Sequence, residues 1–283
     1  MKKICVFLLF LFWVIPIISQ DDVASKEDIE KFLKTTTYVV YDSNIFGSYN
    51  KAIKKAMEDY WTLTPVEYID ATKYAQLKGS YRNSFIIRTK VNFEKDKSNT
   101  NYTFLSILLG SNKASAMANM PDLCSFPLSY YNVDYDKYIY KMGAIIKFMQ
   151  NHIILTRDNP DLDSKNITKY YNNNTKELAN KTLYVLKDEL DENVNTLGKI
   201  KQYYKGKVVI TTEEEIEKVI HDKDMTAVFL HKVGPSSENE KMRIYKVVIG
   251  AADGKMYYFD YHKYKKGKAE DAFLASDFQN LAK

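Results

Sequence analysis

The feature that most constrains the fold is an order of elements that occurs twice. Thr37-Tyr38-Val39-Val40-Tyr41 is β-branched and aromatic and reads as a strand. Ile53, Ala56, Met57, Tyr60 and Trp61 then fall on one face at helical spacing, which predicts a helix over 49–61. A short strand at 66–69, a helix opened by Asp70 and carrying Tyr74 and Leu77, and two strands at 85–91 and 102–109 follow, ended by Gly110. The second half repeats the plan: strand 183–186, a weaker helix over 194–204, strand 207–210, then a helix through Ile216, Val219 and Ile220. Thr212 and Glu215 open that last helix with a capping-box pattern. Strands at 227–233 and 242–249 complete the second set, and Gly250 stands where Gly110 stood. The intervals from Tyr38 to Gly110 and from Tyr184 to Gly250 are nearly equal, so two tandem, duplicated βαβα-ββ units are expected. The fold class is α/β with mixed sheets, because strands joined through a helix pair parallel and hairpin strands pair antiparallel.

The boundaries follow from this order. Residues 20–157 form the first unit and 182–283 the second. Between them, Ile139, Met142, Ile145, Ile146, Met149 and Ile153 make a wide apolar stripe, predicting a buried connecting helix over 138–154. Lys141 and Lys147 are too few to give it a basic, membrane-binding face. The polar, Asn-rich stretch 158–181 reads as a linker. Ala252-Asp253-Gly254-Lys255 suits a type I′ hairpin turn, whereas the corresponding hairpin of the first half enters a long loop over 111–121.

Residues 1–19 have a basic start, Lys2-Lys3, an apolar stretch and Ser19 before a polar sequence, which are the parts of a secretory signal peptide. An exported protein, periplasmic or extracellular after cleavage, is the expectation. No later apolar run is long enough to cross a membrane. Cys5 leaves with the signal and Cys124 remains, so no internal disulfide can form. The net charge of +5 drops further with Lys2 and Lys3, a balance that argues against a nucleic-acid partner. The locally basic stretch 263–268 reads as a solvated loop.

Chemistry is harder to find. His152, His221, His231 and His262 lack metal-ligand spacing, and no dinucleotide, phosphate-loop or nucleophile-elbow motif occurs, so neither cofactor nor metal is assigned. Functional groups of α/β sheets gather beyond the carboxyl ends of strands. Asp42 and Asn44 occupy that place in the first unit, and Lys187, Asp188 and Glu189 in the second. His231 closes another strand and is placed to titrate near neutral pH. Along 256–262, Tyr257, Phe259 and Tyr261 alternate with Asp260 and His262, which puts the latter two side by side on the outer face if the aromatic set is core. The chain holds 23 Tyr and 14 Phe. The adjacent pairs Tyr130-Tyr131, Tyr170-Tyr171 and Tyr203-Tyr204 are candidates for an exposed aromatic contact surface.

Tyr60-Trp61-Thr62-Leu63-Thr64-Pro65, the stretch from Met142 to His152, the segment His231 to Pro235, Tyr257-Tyr258-Phe259-Asp260-Tyr261-His262 and Gln20 carry a resemblance. Through them the chain resembles a family of uncharacterised exported proteins from Bacteroidetes-type bacteria, a likeness that implies export and no activity. In element order, each unit is similar to the α/β domains of TolB amino-terminal and curli-secretion assembly-factor type. These readings converge on a non-catalytic envelope module that binds a protein or glycan partner. The alternative is a hydrolase or transferase acting on envelope material in a cleft between the lobes, through Asp260-His262 or His231.

Overall fold

The computed structural model describes residues 24–44, 47–93, 100–114, 117–131, 133–234, 242–264 and 270–283. The expected signal peptide lies outside them, as do Lys265, Lys266 and Lys268 of the basic stretch. The first unit runs α1 (Lys26–Phe32), β1 (Thr36–Val40), α2 (Ser48–Tyr60), β2 (Val66–Ile69), α3 (Ala71–Leu77), β3 (Asn83–Asn92), β4 (Asn101–Leu109), β5 (Asp122–Tyr130) and α4 (Met142–Asp158). The second runs α5 (Ile167–Asn172), β6 (Thr182–Leu186), α6 (Leu197–Ile200), β7 (Lys207–Thr211), α7 (Glu213–His221), β8 (Ala227–Val233), β9 (Met242–Gly250), β10 (Met256–Tyr264) and α8 (Ala275–Leu281).

Among the described residues there are two five-stranded mixed sheets with one topology, β2-β1-β3-β4-β5 and β7-β6-β8-β9-β10. In each, the first three strands in the chain are parallel and the last two pair antiparallel. The duplication is thus visible down to register: Thr36 faces Asn83 in the first sheet, and Thr182 faces Ala227 in the second.

Several local expectations need correction. The first sheet has a fifth strand, β5, where the sequence pattern showed none. Pro127 and two register shifts against β4 break its alternation, and a proline is tolerated there because β5 is an edge strand. Gly250 faces Val228 while Leu109 faces Ser84, so Gly250 corresponds to Leu109, and Gly110 lies one residue further on. The β9–β10 turn is not type I′: Gly254 alone takes a positive φ, 60°, within a loop closed by Gly250 N–H to Lys255 O at 2.9 Å. A Cβ on Gly254 would meet the Phe148 main-chain nitrogen of α4 at 2.7 Å, so this glycine serves both the turn and the packing.

The buried connecting helix is α4, preceded by short 3-10 turns at Tyr135–Lys137 and Ile139–Lys141. One side of α4 joins α1 and α2 on the first sheet, where Ile145 and Met149 share a core with Val39, Ile86 and Ile107. The same core continues to Phe229, Val247 and Ile249 of the second sheet and to Ile216 and Ile220 of α7. A helix that packs on both sides must be apolar nearly all round, which is what its sequence shows. Each fully buried Ile or Met here contributes about 1.5–3 kcal/mol. The layers are therefore α3, first sheet, a shared helical layer, second sheet, then α6 and α8. The shared layer is not solid throughout: a hollow of about 520 Å³ lies where α2, α4 and α7 meet. The stretch expected as a linker contains α5 and a 3-10 run, Asn173–Asn180, whose Tyr171 and Leu178 are buried. Asn172 hydrogen-bonds both the N–H and the C=O of Phe259 (2.8 and 3.0 Å), and Asn174 donates to Met256 O (2.8 Å). The outer edge of β10 is thereby capped over Met256 to Phe259.

Candidate binding sites at the carboxyl ends of the strands

In the first unit α2 crosses on one face of the sheet and α3 on the other, so the chain switches sides between β1 and β3. Such switch points leave a crevice beyond the carboxyl ends of the strands. Asp42 and Arg88 occupy it. The Arg88 guanidinium pairs with the Asp42 carboxylate and donates to Tyr135 Oη (3.1 Å) and Tyr138 Oη (3.3 Å). Its carbon sits 4.2 Å from the Tyr49 ring centroid and 4.4 Å from that of Tyr135. Burial opposes this charge, but the hydrogen bonds to Tyr135 and Tyr138 outweigh it, and Arg88 stays protonated. Tyr49 is wholly buried, its hydroxyl pKa raised by burial and its Oη without a partner among the described residues. Asn50 fixes the turn that presents Asp42, accepting from Asp42 N–H and donating to the carbonyls of Asp42 and Asn44. Asn44 thus contributes its main chain, while its side chain is exposed.

Strands β3, β4 and β5 run on past the end of β1 and form the floor of a hollow of about 580 Å³. Lys90, Thr103 and Ser129 lie side by side across that floor. Tyr131, 39% exposed, stands at its rim with Lys90 Nζ 4.4 Å from its ring centroid. Tyr135 and Tyr138 form the far wall. Lys90 makes no ion pair among the described residues.

The second unit closes the same place. Register puts Lys232 where Arg88 stands, and Gly234, Ile244 and His262 where Lys90, Thr103 and Ser129 stand. Lys232 pairs with Asp271 at 2.5 Å, and a Cβ on Gly234 would collide with the Asp271 carboxylate. His262 Nε2 donates to Glu270 O (2.8 Å). The chain's own segment at 270–273 therefore fills the volume that is open in the first unit. Next to it, Lys141, fully buried, lies 3.8 Å from Glu189. Burial lowers the lysine pKa and raises that of the carboxyl, each partly countered by the other.

The sequence-proposed residues do not assemble into one site. Asp42 belongs to the Arg88 cluster, Lys187 is exposed beyond β6, and His231 is buried, so the three do not line a shared cleft. His231 Nε2 hydrogen-bonds Pro127 O (2.8 Å), and because a carbonyl only accepts, this nitrogen carries the proton. Burial pushes the His231 pKa down to about 3, so it does not titrate near neutrality as its sequence position suggested. Asp260 and His262 are not on an outer face: an irregularity between Met256 and Tyr258 shifts the alternation, and the two share a face with the buried Lys246–Asp277 pair. Asp260 accepts from Tyr258 Oη (3.1 Å), and burial lowers the His262 pKa. Of the tyrosine pairs, Tyr131 and Tyr170 are exposed, Tyr171 and Tyr204 are buried, and Tyr130 packs edge-on against Tyr102. Neighbouring side chains point in different directions, opposite along a strand and about 100° apart around a helix such as α5, which divides such pairs.

Arg88 and Lys90 escaped the sequence reading, although a guanidinium following Phe85-Ile86-Ile87 in a strand was the available signal. Among the described residues no His, Cys, Asp or Glu group is arranged to hold a metal ion, and no helix is long and apolar enough to cross a membrane. No family model matches the chain, and neither the curated proteins nor the solved structures provide a match.

Proposed function

We propose that this protein is an exported, non-catalytic module that binds an acidic glycan in the hollow of its first unit. One observation carries the reading: the floor of the hollow combines Lys90, which makes no ion pair among the described residues, with the hydroxyls of Thr103 and Ser129 and the rim ring of Tyr131. A cation recognises a carboxylate, hydroxyls match sugar hydroxyls, and a tyrosine ring packs on the apolar face of a pyranose. The second unit supports the charge assignment, since its closed counterpart holds the carboxylate of Asp271 over Gly234, the position equivalent to Lys90. An acid-base reading has less support, because His231 is buried and both it and His262 hydrogen-bond main-chain carbonyls.

Calorimetric titration with trigalacturonic acid, using maltotriose as the neutral control, tests the proposal. The acidic trisaccharide binds and the neutral one binds more weakly. Lys90→Ala reduces the affinity about tenfold or more, the effect of losing a charge-assisted hydrogen bond. Unchanged binding in both Lys90→Ala and Tyr131→Ala would sink the assignment.

A further inference from the structure

A groove of about 520 Å³ lies between the two units, with α2 as one wall and α7 as the other. Its floor is apolar, formed by Ala52 and Ala56 of α2, Ile139, Met142 and Gly143 at the start of α4, and Ile220 of α7. A Cβ on Gly143 would meet Tyr60 Cε2 at 2.6 Å, so this glycine lets the Tyr60 ring lie against α4. The two wall helices run parallel along the groove. Near their starts, Lys137 and Tyr135 of one 3-10 turn reach Glu213 (3.7 Å) and the Tyr49 ring (centroids 5.9 Å apart). Near their ends, Tyr60 Oη donates to Ile220 O at 3.3 Å. The volume is that of a small-molecule site.

Charge is ordered along this axis. Glu214 and Glu217 line the end nearer the start of α7, and Lys218 and Lys223 the other end. None of these four makes an ion pair among the described residues. The remaining charged groups of the lining have partners, Lys55 with Asp59 at 2.8 Å and His221 beside Asp222 at 3.3 Å. Lys223 is held in place against backbone preference. It follows the last turn of α7, where Lys223 N–H bonds Ile220 O (3.1 Å) and Asp224 N–H bonds Val219 O (3.0 Å). Its φ of 52° is the one positive φ of a non-glycine among the described residues. Glycine takes such a position without strain. Lysine instead brings a side chain, whose Nζ lies 5.3 Å from the Tyr60 ring centroid at the edge of the groove. A strained residue beside a ligand-sized space points to function.

Acid and base at opposite ends of an apolar floor match a molecule with a cation at one end, an anion at the other and apolar groups between. Glu214 and Lys223 are about 13 Å apart at the helical rise, and an extended tripeptide spans about 10 Å. A single amino acid carries both charges on one carbon and cannot reach both ends. We propose that this groove is a second ligand site, which takes a short free peptide with apolar side chains. Its ammonium lies at Glu214 and Glu217 and its carboxylate at Lys218 and Lys223. The site does not depend on the glycan reading.

Calorimetric titration of the intact protein with alanyl-leucyl-alanine tests it, with the N-acetylated and the C-terminally amidated tripeptides as controls. The free peptide binds saturably at one per chain. Blocking either end weakens it about tenfold, the effect of losing a charge-assisted hydrogen bond. Lys223→Gly weakens the peptide by a similar factor and at the same time raises the urea midpoint, because the positive φ no longer strains the chain. Ala52→Trp, which fills the floor from its half-buried edge, abolishes binding while leaving the urea midpoint in place. Absence of saturable binding overturns the proposal, as does equal binding of the free and blocked peptides, or binding that survives both Lys223→Gly and Ala52→Trp.

Discussion

The two units share strand order and register but differ at their carboxyl ends. In the first, β3 to β5 leave an open floor beside Arg88. In the second, Gly234 admits Asp271, and segment 270–273 covers the equivalent floor. The sheets differ inside as well, for register places Leu105 of the first sheet where Lys246 lies in the second. Both side chains are buried, one in an apolar core and the other paired with Asp277 of α8 at 2.6 Å. One topology therefore supports an open polar site in one copy and a closed, internally paired end in the other. Function resides in the residues set on the scaffold, not in the scaffold.

The largest effect is expected where the copies differ most deeply. Lys246→Met strands the Asp277 carboxylate in the core and lowers the urea-unfolding free energy by about 3–5 kcal/mol. The double variant Lys246→Met/Asp277→Leu makes the second sheet resemble the first and recovers most of that loss. Recovery is incomplete because Asp277 also accepts from Leu274 N–H and Tyr258 Oη. No recovery in the double variant would mean that the two positions are not equivalent.

Arg88→Leu comes next, at about 3 kcal/mol, the lower end for a broken buried pair because Arg88 and Asp42 keep some exposure. Lys232→Leu should cost less, since Arg88 also donates to Tyr135 and Tyr138 and packs on two tyrosine rings, whereas the bonds of Lys232 go to Asp271. Chemical denaturation of the two variants side by side decides this, and equal losses would erase the proposed contrast between the ends.

The histidines give a smaller, pH-dependent effect. Unfolded, each imidazole protonates near pH 6.5; folded, burial delays this to about 4 for His152 and about 3 for His231. The unfolded chain binds more protons between those limits, so their contribution is complete above pH 6.5 and is lost as the pH falls toward 4. Each histidine sets a slope of up to about 1.4 kcal/mol per pH unit. Glu189, whose pKa burial raises, acts in the opposite direction. Thermal melts across this range should show a shallower slope in His152→Leu and His231→Leu than in the parent, whatever the variants do to absolute stability.

Gly234→Ala is the mildest change. Its Cβ forces the flexible Asp271 side chain to move, at a cost of about 1 kcal/mol. The Lys232–Asp271 pair weakens, while segment 270–273 stays in place through its bonds to Glu189, Asp191 and His262. A urea midpoint identical to the parent's would show that Asp271 is not held there.

The repeated order was legible because its signals are local: β-branched runs, helical spacing in α2 and α7, and caps such as Asp70, which accepts from Lys73 N–H at 2.7 Å. Strand β5 was not, since Pro127 and the bulges interrupt its period and only pairing with β4 holds it. The Asn-rich stretch read as a linker because its order comes from side-chain bonds to β10 that no local pattern announces. The candidate site was half legible. Asp42 and Tyr131 lie in or beside it, while Arg88 and Lys90 become visible only when register aligns β3, β4 and β5. His231 and the Asp260–His262 pair drew attention as reactive types, but burial and main-chain hydrogen bonds decide their state.

The most direct test of the contrast between the two ends is a backbone-amide NMR titration of the intact protein with trigalacturonic acid. The account predicts saturable shifts at Arg88, Lys90, Thr103, Ser129 and Tyr131, with Gly234, Ile244 and His262 unmoved. Shifts centred on the second set, or none at either end, would contradict it.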